Sequence, residues 1–163
     1  MGQVIRFPLV LDAYPARSGG LDDAEAVLLV GLRWWVADVR NGNDPTPRLR
    51  QGFAIAGAPE AALALDALMT VAGQTARRQL EIHGARCACL SPDEKHLLHA
   101  ASLAQARDSP RAEAVLRATL LTAQGADMAL GPLQGIGRMF TAARLLLRRR
   151  LAPGDATVAS TLH

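Results

Sequence analysis

Apolar residues recur at helical spacing along most of the chain. Leu28, Leu32, Trp35 and Val39 fall four, three and four positions apart, behind Asp22 and Asp23, whose charges suit a helix N-terminus. This predicts a first helix that ends at Asn41-Gly42-Asn43, followed by a rigid exposed connection, Asp44-Pro45-Thr46-Pro47. Pro59 suits a first helical position and opens a second predicted helix with Leu65, Leu68, Met69, Ala72 and Ala76 on its apolar stripe. That helix is expected to run to about His83, where Gly84 stops it. Ser91-Pro92-Asp93-Glu94 has the form of a capping box and starts a third helix, with Leu97, Leu98 and Ala101 facing inward. Asp108-Ser109-Pro110 ends it and caps a fourth, carrying Val115, Leu116, Leu120 and Leu121 and closed by Gly125. Gly131, Pro132, Gly135 and Gly137 argue against a continuous helix over 126–137, so the last helix is expected from Arg138 to Leu151. Upstream, Val4, Ile5, Phe7, Leu9 and Leu11 alternate as in an edge strand limited by Pro8 and Pro15.

Composition agrees with the helical reading. Ala and Leu fill 56 of 163 positions, whereas Ile and Val add 13 and aromatic residues are 4%. The expected fold is all-α, about five helices in a compact irregular bundle. Residues 1–20 form an irregular lead-in, 21–151 one helical domain, and 152–163 a flexible tail. Two cysteines exclude a disulfide-stapled scaffold. No apolar run approaches the roughly 20 residues a membrane-spanning helix needs. Met1 to Leu11 lacks the parts of a secretory signal, so a cytoplasmic location of bacterial type is expected.

Charge narrows the functional classes slightly. Residues 1–127 carry 13 basic and 14 acidic side chains, while 128–163 carry five arginines against Asp155 alone. The positive excess therefore lies near the C-terminus, at Arg144, Arg148, Arg149 and Arg150. A helix there would offer an anion- or nucleic-acid-binding patch, or simply a basic end that complements its dipole. Seventeen of the eighteen basic residues are arginine, which suits bidentate anion contacts and equally a GC-rich coding genome.

Three local patterns carry candidate chemistry. His83, Cys87, Cys89, His96 and His99 fall within 17 residues. His83, Cys87, Cys89 and His96 form a candidate zinc set, although Cys-x-Cys matches no usual zinc spacing. The same cysteines suit a reducible vicinal disulfide, with Arg86 lowering a thiol pKa. A connector without a ligand is the plainer reading. Adjacent Trp34 and Trp35 must point to different faces of one helix, so one is available to a partner, with Arg33 or Arg40 able to stack on the exposed ring. Residues 91–124 could form a helix–turn–helix with Arg111 and Arg117 toward DNA, but an ordinary helical hairpin fits better. The glycines before Arg138 lack the strand and acidic residue of a dinucleotide loop.

No recognised hydrolase, phosphate-loop or di-iron motif is present. The leading expectation is a non-enzymatic binding or regulatory protein that acts through a protein partner or as a homodimer. A zinc- or redox-responsive regulator and a nucleic-acid-binding protein are the alternatives.

Overall fold

The structure, a computed structural model, describes residues 11–155, and among them six α-helices carry the fold. They are α1 (Asp23–Arg40), α2 (Thr46–Ile55), α3 (Ala61–Thr75), α4 (Pro92–Gln105), α5 (Ser109–Thr119) and α6 (Ala123–Ala142). The all-α expectation holds, with one helix more than expected. The strand-like reading of residues 4–11 and most of the expected tail lie outside the described residues.

The centre is α6, which packs on α3, α4 and α5, while α1 and α2 cover the other side of α3. Phe140, Leu133, Ile136, Leu65, Leu68, Leu97 and Leu116 are almost fully excluded from water. Phe53 of α2 meets Phe140 edge-on, with ring centroids 5.9 Å apart.

Four expectations about individual elements need correction. First, α2 fills part of the stretch after Asn43: Pro47 sits in its first turn, and Leu49 and Phe53 bury its inner face. Second, α3 stops at Thr75 rather than near His83. Ala76 turns extended, and Thr122 N–H donates to the Thr75 carbonyl at 2.9 Å while Arg77 N–H donates to that of Leu120 at 3.0 Å.

Third, α6 runs unbroken through Gly131, Pro132, Gly135 and Gly137. Its glycines let neighbours approach: a Cβ on Gly137 would stand 2.9 Å from Gln105 Cα, and one on Gly125 would overlap the Thr75 side chain. Ala126, Ala129, Leu133, Ile136 and Phe140 keep the three-four spacing through the breakers, all fully buried. Fourth, the helix expected over 138–151 ends at Ala142; Ala143 and Arg144 turn the chain, and 145–151 is a strap without regular structure. Gln105 fixes the strap, donating to the Leu145 carbonyl (2.9 Å) and accepting from Leu147 N–H (2.7 Å).

Two capping boxes do more than start helices. Asp22 and Ser91 cap α1 and α4, and the returning glutamates, Glu25 and Glu94, are both buried. Each meets an arginine distant in sequence through two hydrogen bonds. Arg150 reaches Glu25 at 2.6 and 2.8 Å, and Arg33 reaches Glu94 at 2.7 and 3.0 Å. Arg150 thereby ties the strap to α1, and Arg33 ties α1 to α4. Arg33→Met would leave Glu94 charged and without its counter-ion, so we expect a loss of about 3–5 kcal/mol. Arg148→Met, which removes a solvent-exposed pair, should cost about 1 kcal/mol or less. Urea unfolding of the two variants checks the contrast.

Candidate functional site

The connector from Ala76 to Leu90 has few helical hydrogen bonds, so carboxylates at the start of α4 organise its backbone. Glu94 accepts from His83 N–H at 3.0 Å and from Ser91 N–H at 2.9 Å, besides Arg33. Asp93 accepts from Glu81 N–H at 2.7 Å and from both Arg78 terminal nitrogens at 2.7 Å. Burial alone would raise the Asp93 pKa, but Arg78 and the Glu81 N–H overcome it and hold the carboxyl below its usual range. Arg33 also donates to the Cys87 carbonyl (2.5 Å) and the Cys89 carbonyl (2.6 Å), fixing the cysteine turn against α1. On its other side the turn pairs with the lead-in, where Ser18 N–H donates to Ala88 at 2.8 Å and Leu90 N–H to Ala16 at 3.0 Å.

On this scaffold His83 and Cys87 meet. His83 Nδ1 lies 3.0 Å from the Cys89 carbonyl oxygen and 3.6 Å from Cys87 Sγ, while Nε2 lies 3.0 Å from Glu81 Oε1. With acceptors at both ring nitrogens, the Cys89 carbonyl foremost and then Glu81, the His83 pKa is raised. The Cys87 pKa moves the other way. A hydrogen bond from the Cys89 backbone is the main cause, and the charges of His83 and Arg33 and the neighbouring Cys89 thiol add to it against partial burial. The shifts run toward each other, so each group favours the charged form of its neighbour. Both cysteines are free, Cys87 half-buried and Cys89 exposed.

The other expected residues are dispersed. His96 faces a separate pocket with His99 and Arg111 between α4 and α5, and burial lowers its pKa. Among the described residues, no group of three or more His, Cys, Asp or Glu converges closely enough to hold a metal ion. Arg86, expected to tune the thiol, is exposed, and Arg33 lies at the cysteine turn instead. Of the four C-terminal arginines, Arg150 is buried on Glu25 and Arg148 pairs with Asp12 and Asp22. Arg144 and Arg149 are exposed.

Trp34 and Trp35 are both half-buried and do face different neighbours. Trp35 donates its indole N–H to Asp66 of α3 at 2.7 Å. Trp34 lies over Gly52 of α2, and Arg48, rather than Arg33 or Arg40, stacks on its ring at 4.6 Å. Beside it, Ala26, Val27, Val30, Trp34, Gly52 and Phe53 line an almost wholly apolar groove of about 220 Å³ between α1 and α2. A second cavity continues past Val30 and Trp34 to Ser18 and Ala85, next to the cysteine turn.

No protein-family model, curated protein or solved structure matches this chain.

With Cys89 replaced by serine, Cys87 should react with iodoacetamide at a pH midpoint below that of a cysteine in an unstructured peptide. His83→Gln should move the Cys87 midpoint upward. The pH dependence of alkylation, followed by mass spectrometry, measures the shift.

Proposed function

We propose that this chain is a binding or regulatory protein that engages a protein partner through the apolar face of α1. The groove beside Trp34 carries this reading. Val30 at its edge is 41% exposed and Ile55, at the end of α2, is 90% exposed. Trp34 is held rigidly by Gly52 beneath and Arg48 above, so little side-chain entropy is lost when a partner covers it. A groove between two helices with an apolar floor fits the apolar face of an amphipathic partner helix.

A displayed library of amphipathic helical peptides should enrich binders on the wild-type chain. Val30→Asp places a charge at the edge of the groove without removing a core side chain, so it should abolish that enrichment while the Tm stays within about 2 °C. Enrichment that persists on Val30→Asp would overturn the reading.

The contact of Cys87 with His83 and Cys89 favours a second reading, redox response. A peroxide would oxidise the Cys87 thiolate to a sulfenate, releasing water. The Cys89 thiol would then displace hydroxide from the protonated sulfenic acid to close a Cys-x-Cys disulfide. Arg33 grips both carbonyls of this turn, so closing that short ring should strain its hydrogen bonds. We expect one equivalent of hydrogen peroxide to give a product two hydrogens lighter, reversible by dithiothreitol, with a lower Tm. Cys87→Ser should give no such product.

A further inference from the structure

The corner between α4 and α5 closes on α6 around a cavity of about 380 Å³, apart from both the α1 groove and the cysteine turn. Arg107 and Ser109 line it from the corner, Arg138 and Gln134 from α6, and among the described residues no carboxylate lines it. Neither Arg107 nor Arg138 makes an ion pair or a side-chain hydrogen bond with any described residue, whereas Arg111 nearby is matched with Asp108 at 3.6 Å. The Ser109 hydroxyl accepts from Gln134 Nε2 at 2.8 Å, leaving its proton to donate. Gln105 and Thr141, which also line the cavity, are committed to the strap and to α6.

Arg107 occupies its place at a cost. Its φ of 62° is left-handed, at the end of α4 where glycine or asparagine is usual. The corner therefore holds a guanidinium at a position where glycine would be less strained.

Arg107 and Arg138 are exposed at the rim of the cleft on separate elements, and two guanidiniums unmatched by a carboxylate there suit a compact dianion. A phosphate monoester carries nearly two charges at neutral pH and offers oxygens that each fork can grip in pairs. The cavity, at the small end of the range for ligand sites, has room for the phosphate and a sugar-sized body. A nucleic-acid backbone carries one charge per phosphate and is held along a track of cations, not in a two-arginine cleft. We propose that this cleft binds a small phosphate monoester, with Arg107 and Arg138 clamping the phosphate and Ser109 donating to it.

Amide NMR spectra, recorded at fixed ionic strength, would follow titrations with glycerol 2-phosphate, inorganic phosphate, acetate and a short single-stranded oligonucleotide. Glycerol 2-phosphate and phosphate should give saturable shifts confined to residues 104–109 and 134–141, with acetate about tenfold weaker or more. Arg138→Gln and Arg107→Gly should each weaken the phosphate ligands about tenfold or more. Arg107→Gly also relieves the left-handed strain, so its Tm should hold or rise, separating lost binding from lost folding. Shifts that never saturate, affinity unchanged in either variant, or an oligonucleotide that moves the same residues at lower concentration than the monoester would each overturn the assignment.

Discussion

Two buried arginine–glutamate forks hold together the parts of this protein that its helices alone would not. An unpaired glutamate at the depth of Glu94 would be untenable, because desolvation of a lone carboxylate far exceeds the gain from one helix cap. Glu94 tolerates its position because its two oxygens accept four hydrogen bonds, two from Arg33 and one each from the His83 and Ser91 backbones. Glu25 repeats the device with Arg150, which also donates to the carbonyls of Ala13 and Gly20. In both cases a residue whose local task is to begin a helix also fixes a segment without regular structure.

The cysteine turn lies in one of those segments. It has no helix or sheet to define it, yet Arg33 pins two of its carbonyls. That restraint places His83 Nδ1 beside Cys87 Sγ, and the acceptors around the imidazole then favour its charged form. Because Arg33 belongs to α1, the turn and the apolar face around Trp34 share one rigid element.

Helix breakers set within an unbroken apolar stripe account for most of what the sequence obscured. Gly135 and Gly137 look like a loop, but they lie where α6 meets Ala64 of α3 and Gln105 of α4, and the missing side chains permit that approach. The three-four spacing from Ala126 to Phe140 was there to be counted. Nothing comparable marks the end of α3. Ala76 continues its stripe, and only pairing with Leu120 and Leu121 draws the backbone out of the helix. The strap misled for a related reason: Leu145, Leu146 and Leu147 favour a helix by propensity, but Gln105 and Glu25 offer its backbone and Arg150 better partners.

By itself the sequence determined what depends on neighbours within a turn or two: the helical class, the capping boxes at Asp22 and Ser91, the inward faces of α3 and α4, and the divergence of Trp34 from Trp35. These follow from spacing and local hydrogen bonding, which act over a few residues. The tertiary structure alone decided which arginines are buried counter-ions and which remain free, because Arg33 and Glu94 are 61 positions apart and Arg150 and Glu25 are 125. It also separated His96 from Cys87 while bringing His83 to it. Electrostatic pairing depends on distance in space, and no local pattern carries that distance.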